Sequence, residues 1–159
     1  MTEPGTATNY TYVVLIDAPR STVWQALTNG EFTRQYWHSA EVRSDWTVGS
    51  PVEFWLSTDQ GEAVGCQGEI LEYDEPERLS YTWHFPLNPS CAHEPHSRVL
   101  FLLEDADGAT KLTVRHDGFT DERSATYHMV STGWPYVIAG LKSLSETGKT
   151  RDFSVLAPD

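Results

Sequence analysis

Hydrophobic and polar residues alternate with a period of two between residues 40 and 117, and turn residues interrupt the alternation at regular intervals. This pattern is typical of antiparallel strands that bury one face. It predicts strands at residues 40–46, 51–57, 64–73, 78–85, 97–104 and 110–117. A further strand is predicted at 10–16, where β-branched and aromatic residues dominate. Because most of the connections are short, we expect an antiparallel meander.

Helical spacing occurs on both sides of this meander. Two short helices are predicted directly after the first strand, in "APRSTVWQALT" and "EFTRQYW", with a break at Asn29-Gly30. Near the C-terminus, apolar residues recur every three or four positions from Tyr127 to Leu144. This spacing predicts one long helix that continues through Pro135 with a kink.

The sheet and the long helix must bury their apolar faces against each other, which predicts an α+β fold. Because many inward-facing positions carry large aromatic residues, we expect the two surfaces to leave a cavity between them. The expected lining residues are Trp24, Phe54, Tyr81, Trp83, Phe101, Val114, His116, Phe119, Tyr127, Gly133, Trp134 and Ile138. Leu100 and Leu102 fall on the outward face and are candidates for a subunit contact.

Two interpretations of Gly133-Trp134 remain open at this point. In the first, Gly133 removes a side chain where a ligand approaches the helix, and Trp134 points its indole into the cavity. In the second, Trp134 is a core anchor and Gly133 only relieves close packing.

Composition narrows the class of protein. The chain has 159 residues, of which 39% are apolar, so we expect one domain spanning residues 1–159, with flexible ends at 1–9 and 150–159. A net charge of −12 argues against nucleic-acid and anionic-membrane partners. The sequence contains no signal-peptide pattern and no run long enough to span a bilayer, which predicts a cytoplasmic protein. The two cysteines form no disulfide framework.

Few residues are candidates for chemistry. His116 is predicted to face inward, where an imidazole acts as a general base or hydrogen-bonds a ligand, or else bonds a nearby backbone group at the strand end. Cys91, His93 and His96 are types that bind zinc or copper, but their spacing is irregular and they are weak candidates. We therefore expect neither a metal nor another cofactor.

Four segments carry a resemblance to a known superfamily: "APRSTVWQALTNGEFTRQYW", "GEILEYDEPERLSYTW", "TKLTVRHDGF" and "GWPYVIAGLKSL". In order and spacing they resemble the START-related helix-grip (SRPBCC) superfamily, and within it the activator of heat-shock-protein ATPase homologues. The resemblance implies a curved antiparallel sheet of about seven strands around a long C-terminal helix, with two short helices after strand one. It also implies a deep, mostly apolar cavity.

The resemblance implies several functions. The first is binding of a hydrophobic or aromatic small molecule, such as a lipid or a polyketide, by a monomer or a homodimer. A second is sacrificial resistance to an enediyne antibiotic, with Gly133 as the expected cleavage site ahead of Gly118 and Gly68. The remaining two are a polyketide cyclase-like enzyme that uses His116 and a chaperone-interacting protein. We favour a binding protein over an enzyme because binding requires only the cavity.

Overall fold

The computed structural model describes residues 8–158. Its strands are β1 (Tyr10–Ile16), β2 (Glu41–Ser44), β3 (Pro51–Thr58), β4 (Gly61–Asp74), β5 (Arg78–Trp83), β6 (Ser97–Ala106) and β7 (Ala109–Asp117). Its α-helices are α1 (Arg20–Thr28), α2 (Gly30–Tyr36) and α3 (Ala125–Thr147), and a 3-10 helix follows at Phe153–Leu156.

All seven strands form one antiparallel sheet in the order β1-β7-β6-β5-β4-β3-β2. The meander runs from β2 to β7, and β1 pairs with β7 at the opposite edge. Register shifts interrupt the β3–β4 pairing after Phe54 and the β4–β5 pairing after Ile70, where bulges bend and twist the sheet. The predicted helix-grip fold is confirmed.

Several strand boundaries differ from the predicted ones. β5 ends at Trp83 because His84 forms only an isolated bridge to Gln67 before the chain leaves the sheet. β2 ends at Ser44, and Trp46 lies beyond it with a left-handed φ of 56°. The long helix is continuous through Pro135, as predicted.

The main core lies between the inner sheet face and the helices. Alternate residues of β6 and β7 point inward and are fully or almost fully buried, as their alternation predicts: Val99, Phe101, Leu103, Leu112, Val114 and His116. Burial of each such apolar side chain contributes roughly 1.5–3 kcal/mol to stability. Leu100 and Leu102 are partly buried on the outer face, so they remain candidates for a subunit contact.

The C-terminal segment, expected to be flexible, contains ordered structure in residues 150–158. The 3-10 helix packs against α3, and Ser154 is only 2% exposed. Residues 1–7 and 159, part of the two ends expected to be flexible, lie outside the described residues. Between residues 8 and 158, no helix combines the length and the apolar character needed to cross a membrane.

Candidate functional site

A cavity of about 630 Å³ lies between the sheet and α3. Strands β3, β4 and β5 form one wall of the cavity, and α3 forms the opposite wall. Two connections complete the lining. The first is residues 37–40, after α2, and the second is residues 84–96, between β5 and β6, which we call the strap. The lining residues are Trp37, His38, Ala40, Phe54, Leu56, Gly65, Cys66, Trp83, Phe85, Leu87, Asn88, Pro89, Met129, Val130, Gly133, Trp134 and Val137.

Five aromatic rings dominate this wall: Trp37, Phe54, Trp83, Phe85 and Trp134. The Trp37 ring centroid lies 4.6 Å from that of Phe54 and 5.5 Å from that of Trp134 in an edge-on arrangement. The Trp83 and Trp134 centroids are 5.3 Å apart. Because each ring packs against others at these separations, the wall is a preformed apolar surface.

Gly133 leaves open space at the cavity side of α3. A Cβ placed on Gly133 would meet no other atom within 4 Å. Gly140, the other glycine in this helix, behaves differently, because a Cβ there would lie 2.5 Å from Cβ of Tyr36. Packing relief therefore explains Gly140 but not Gly133, whose missing side chain enlarges the cavity.

His116 lies in the core beside the cavity wall. It is fully buried, its Nδ1 accepts a hydrogen bond from Trp134 Nε1 at 3.1 Å, and its Nε2 lies 2.8 Å from Ser97 Oγ. Because an indole N–H only donates, Nδ1 is unprotonated and Nε2–H donates to Ser97. His116 therefore holds the Trp134 ring in place.

The same contacts argue against His116 as a general base. Burial lowers the pKa of His116 from 6.5 to about 3, although the nearby Asp117 carboxylate acts in the opposite direction. Both ring nitrogens are occupied, and the residue does not line the cavity. These contacts favour a positioning role for His116 over the catalytic one.

Of the twelve residues predicted to line the cavity, the structure places Phe54, Trp83, Gly133 and Trp134 in the wall. The other eight, His116 included, do not line it. Tyr81, Phe101, Val114 and Ile138 are fully or almost fully buried in the core, and Trp24 is fully buried against Tyr73. Phe119 stacks on His116 and meets Tyr127 edge-on, outside the cavity.

The prediction missed wall residues of three kinds. The first kind lies within predicted strands: Ala40, Leu56, Gly65, Cys66 and Phe85. His38 and the strap residues Leu87, Asn88 and Pro89 lie in connections that carry no periodic pattern, and Trp37 ends the segment predicted as the second short helix. Val130 and Val137 already lie on the predicted helix stripe, so that pattern was sufficient to find them.

The strap is fixed to α3 at two points. The Glu94 carboxylate accepts hydrogen bonds from Ser124 Oγ, the Ala125 N–H, and the N–H and hydroxyl of Thr126, at 2.7–3.1 Å. Burial alone raises the pKa of Glu94, but these hydrogen bonds at the helix N-terminus outweigh it and lower that pKa. Asn88 Nδ2 donates to Met129 Sδ at 2.9 Å.

The three weak metal candidates do not converge. The Cys91 thiol faces Met129 Sδ at 3.6 Å, whereas the His96 ring stacks on His84 at 4.6 Å. His93 is exposed. Across residues 8–158, the structure groups no three His, Cys, Asp or Glu side chains in a metal-binding arrangement.

Comparison with solved structures identifies the same fold in other proteins. Protein MLL2253 from Mesorhizobium loti matches with a TM-score of 0.70 and 25% identity, over 86% of this chain and 96% of that one. DynU16, a protein of the dynemicin biosynthetic locus, matches with a TM-score of 0.69 and 22% identity, over 89% of this chain and 48% of that one. The solution structure of the Aha1 dimer from Colwellia psychrerythraea matches with a TM-score of 0.68 and 18% identity, over 89% of this chain and 98% of that one.

No curated protein matches the sequence. The family model for activator of Hsp90 ATPase homolog 1-like proteins matches residues 17–146, which include both short helices, the whole meander and nearly all of α3. The chain therefore belongs to the activator of Hsp90 ATPase homolog 1-like family.

Proposed function

We propose that the protein binds a flat, apolar, aromatic small molecule in the cavity between the sheet and α3. One observation carries this proposal: a cavity of about 630 Å³ has a wall dominated by five aromatic rings, and Gly133 leaves its helix side open. Ligand sites typically have volumes of roughly 300–1,000 Å³ and mostly apolar walls. The rings offer faces and edges to a planar ligand.

Binding accounts for this site better than catalysis does. A cyclase-like reaction requires an acid or base in the cavity, and His116 lies outside it with both nitrogens occupied. Burial raises the pKa of the Cys66 thiol, so this cavity residue remains protonated at neutral pH. The wall therefore lacks the base that the cyclase interpretation assigned to it, and we favour binding over catalysis.

Indole N–H signals in an NMR titration test the proposal directly. Trp37, Trp83 and Trp134 line the cavity, whereas Trp46 and Trp55 do not. Pyrene should shift the three cavity signals through ring currents and leave the other two in place, and palmitate serves as an aliphatic comparison. If saturating pyrene leaves all of these signals unchanged, the proposed binding function is wrong.

A second candidate function is sacrificial resistance to an enediyne antibiotic, and the open face of Gly133 favours it. A glycine α-carbon gives up a hydrogen atom readily because the flanking amides stabilise the radical that remains. Gly133 and Gly65 line the cavity, whereas Gly68 and Gly118, the weaker candidates, do not. Similarity in fold to DynU16, of the dynemicin locus, supports testing this chemistry.

In that reaction, the hydrogen atom passes from Gly133 Cα to the ligand diradical and forms a C–H bond there. Dioxygen then adds to the α-carbon radical, and the peroxyl radical leaves as a hydroperoxyl radical, which takes the N–H hydrogen and leaves an N-acylimine. Water adds to the imine carbon and the N–Cα bond of residue 133 breaks, giving a C-terminal amide on one fragment and a glyoxylyl group on the other. Mass spectrometry after incubation with an activated enediyne in air should detect fragments that end near residue 133, and Gly133→Ala should reduce them. An intact wild-type chain would exclude this function while leaving the binding proposal standing.

A further inference from the structure

His38 presents an unused hydrogen-bonding ring at the opening of the cavity. The residue lines the cavity and is exposed to solvent. Within residues 8–158, neither of its ring nitrogens makes a hydrogen bond, whereas the Asn88 side chain already bonds the Ser90 N–H and Met129 Sδ. The Trp83 indole N–H also has no partner among the described residues, but protein atoms cover it.

The backbone at His38 is held in an uncommon conformation. His38 and Ser39 have φ values of 50° and 58°, in the left-handed region that non-glycine residues rarely adopt. The C-terminal segment stabilises them, because the His38 N–H donates to Ser154 Oγ at 2.9 Å and the Ser39 N–H donates to Asp152 Oδ2 at 3.1 Å. Tertiary contacts therefore fix the backbone position from which the His38 side chain extends at the opening of the cavity.

The His38 ring is neutral near pH 7. Protein atoms cover part of the ring, and this partial burial lowers its pKa, while the Asp152 carboxylate opposes the shift only in part. A neutral imidazole has one N–H donor and one acceptor nitrogen, which match a hydroxyl or a carbonyl group. The net charge of −12 disfavours an anionic ligand.

We propose that His38 determines the specificity of the cavity, and that it selects aromatic ligands carrying a neutral hydroxyl or carbonyl group on the edge facing the opening. This inference rests on the proposed binding function. The ligand's apolar body lies against Trp37, Phe54 and Trp134, and its polar edge meets the His38 ring. A ligand hydroxyl that is buried without a hydrogen-bonding partner such as His38 would weaken binding rather than strengthen it.

Two probes that differ by a single hydroxyl test the inference. Fluorescence titrations at pH 7 would give the Kd of pyrene and of 1-hydroxypyrene for the wild type, His38→Phe, His38→Asn and the exposed control His93→Phe. The wild type and His93→Phe should bind 1-hydroxypyrene about 3- to 10-fold more tightly than pyrene, the range of one hydrogen bond. His38→Phe should abolish this preference, and His38→Asn, which tolerates left-handed φ and keeps both hydrogen-bonding groups, should retain it.

The possible outcomes distinguish failure of this inference from failure of the proposed binding function on which it rests. If the wild type binds neither probe, the proposed binding function fails. If it binds both equally, or if His38→Phe keeps the wild-type preference, His38 does not determine specificity, although the cavity still binds aromatic ligands. Tighter wild-type binding of 1-pyrenecarboxylate than of 1-hydroxypyrene would overturn the preference for a neutral edge. If His38→Phe fails to fold, two measurements on the wild type test the inference instead. They are the ratio of the Kd values of the two probes and the change in the His38 ring ¹⁵N chemical shift when each probe is added.

Discussion

Lowering the pH from 7 to 4 should destabilise the wild type by roughly 3 kcal/mol more than it destabilises His116→Gln. Burial lowers the pKa of His116 from 6.5 to about 3 in the folded protein. Between these two values the unfolded chain takes up a proton that the folded chain does not, so acid favours unfolding. The stability that neutral His116 contributes is complete above about pH 6.5 and is lost as the pH falls toward 3.

Urea unfolding at pH 7, 6, 5 and 4 would measure this difference. Glutamine does not titrate, and its amide can accept from Trp134 Nε1 and donate to Ser97 Oγ in place of the imidazole. Carboxylates also contribute to acid unfolding, but they are common to both proteins and largely cancel in the comparison. His128→Gln, at an exposed position on α3, should follow the wild-type curve. If the free energies of unfolding of His116→Gln and the wild type change in parallel with pH, His116 does not remain a buried neutral imidazole in the folded protein.

Gly133→Trp should weaken the binding of aromatic probes about 100-fold without unfolding the protein. A Cβ at this position meets no atom within 4 Å, so the new indole extends into the cavity where the ligand body would lie. A ligand denied about 100 Å² of apolar contact loses roughly 2.5–3 kcal/mol, which corresponds to a Kd about 100-fold weaker. Pyrene titrations monitored by fluorescence would measure the loss, and circular dichroism would verify the fold.

Two alanine variants of α3 provide matched controls for this result. Gly133→Ala should keep pyrene binding close to that of the wild type and stabilise the protein by about 0.5–1 kcal/mol, because alanine favours a helix over glycine. Gly140→Ala should instead destabilise it, because the new Cβ lies 2.5 Å from Cβ of Tyr36. Wild-type affinity in Gly133→Trp would mean that pyrene binds elsewhere on the protein.

The architecture could be predicted from the sequence because side-chain direction follows local periodicity. Alternation in β6 and β7 correctly assigned Phe101, Val114 and His116 to the inner face, and three- and four-residue spacing correctly carried α3 through Pro135. Trp134 lies on that stripe, and the structure has it among the residues that line the cavity. These features depend on the strand and helix repeats alone.

Only the tertiary structure decided which inward-facing residues line the cavity and which pack in the core. Tyr81 and Trp83 share one face of β5, yet Tyr81 packs in the core and Trp83 lines the cavity. Periodicity specifies the direction of a side chain but not what lies opposite it, which depends on how the sheet bends at its bulges and on where α3 crosses it. His38 and the strap residues Leu87, Asn88 and Pro89 reach the cavity from connections without a repeat. Only long-range contacts, such as Glu94 with α3 and Ser154 with His38, therefore determine their positions.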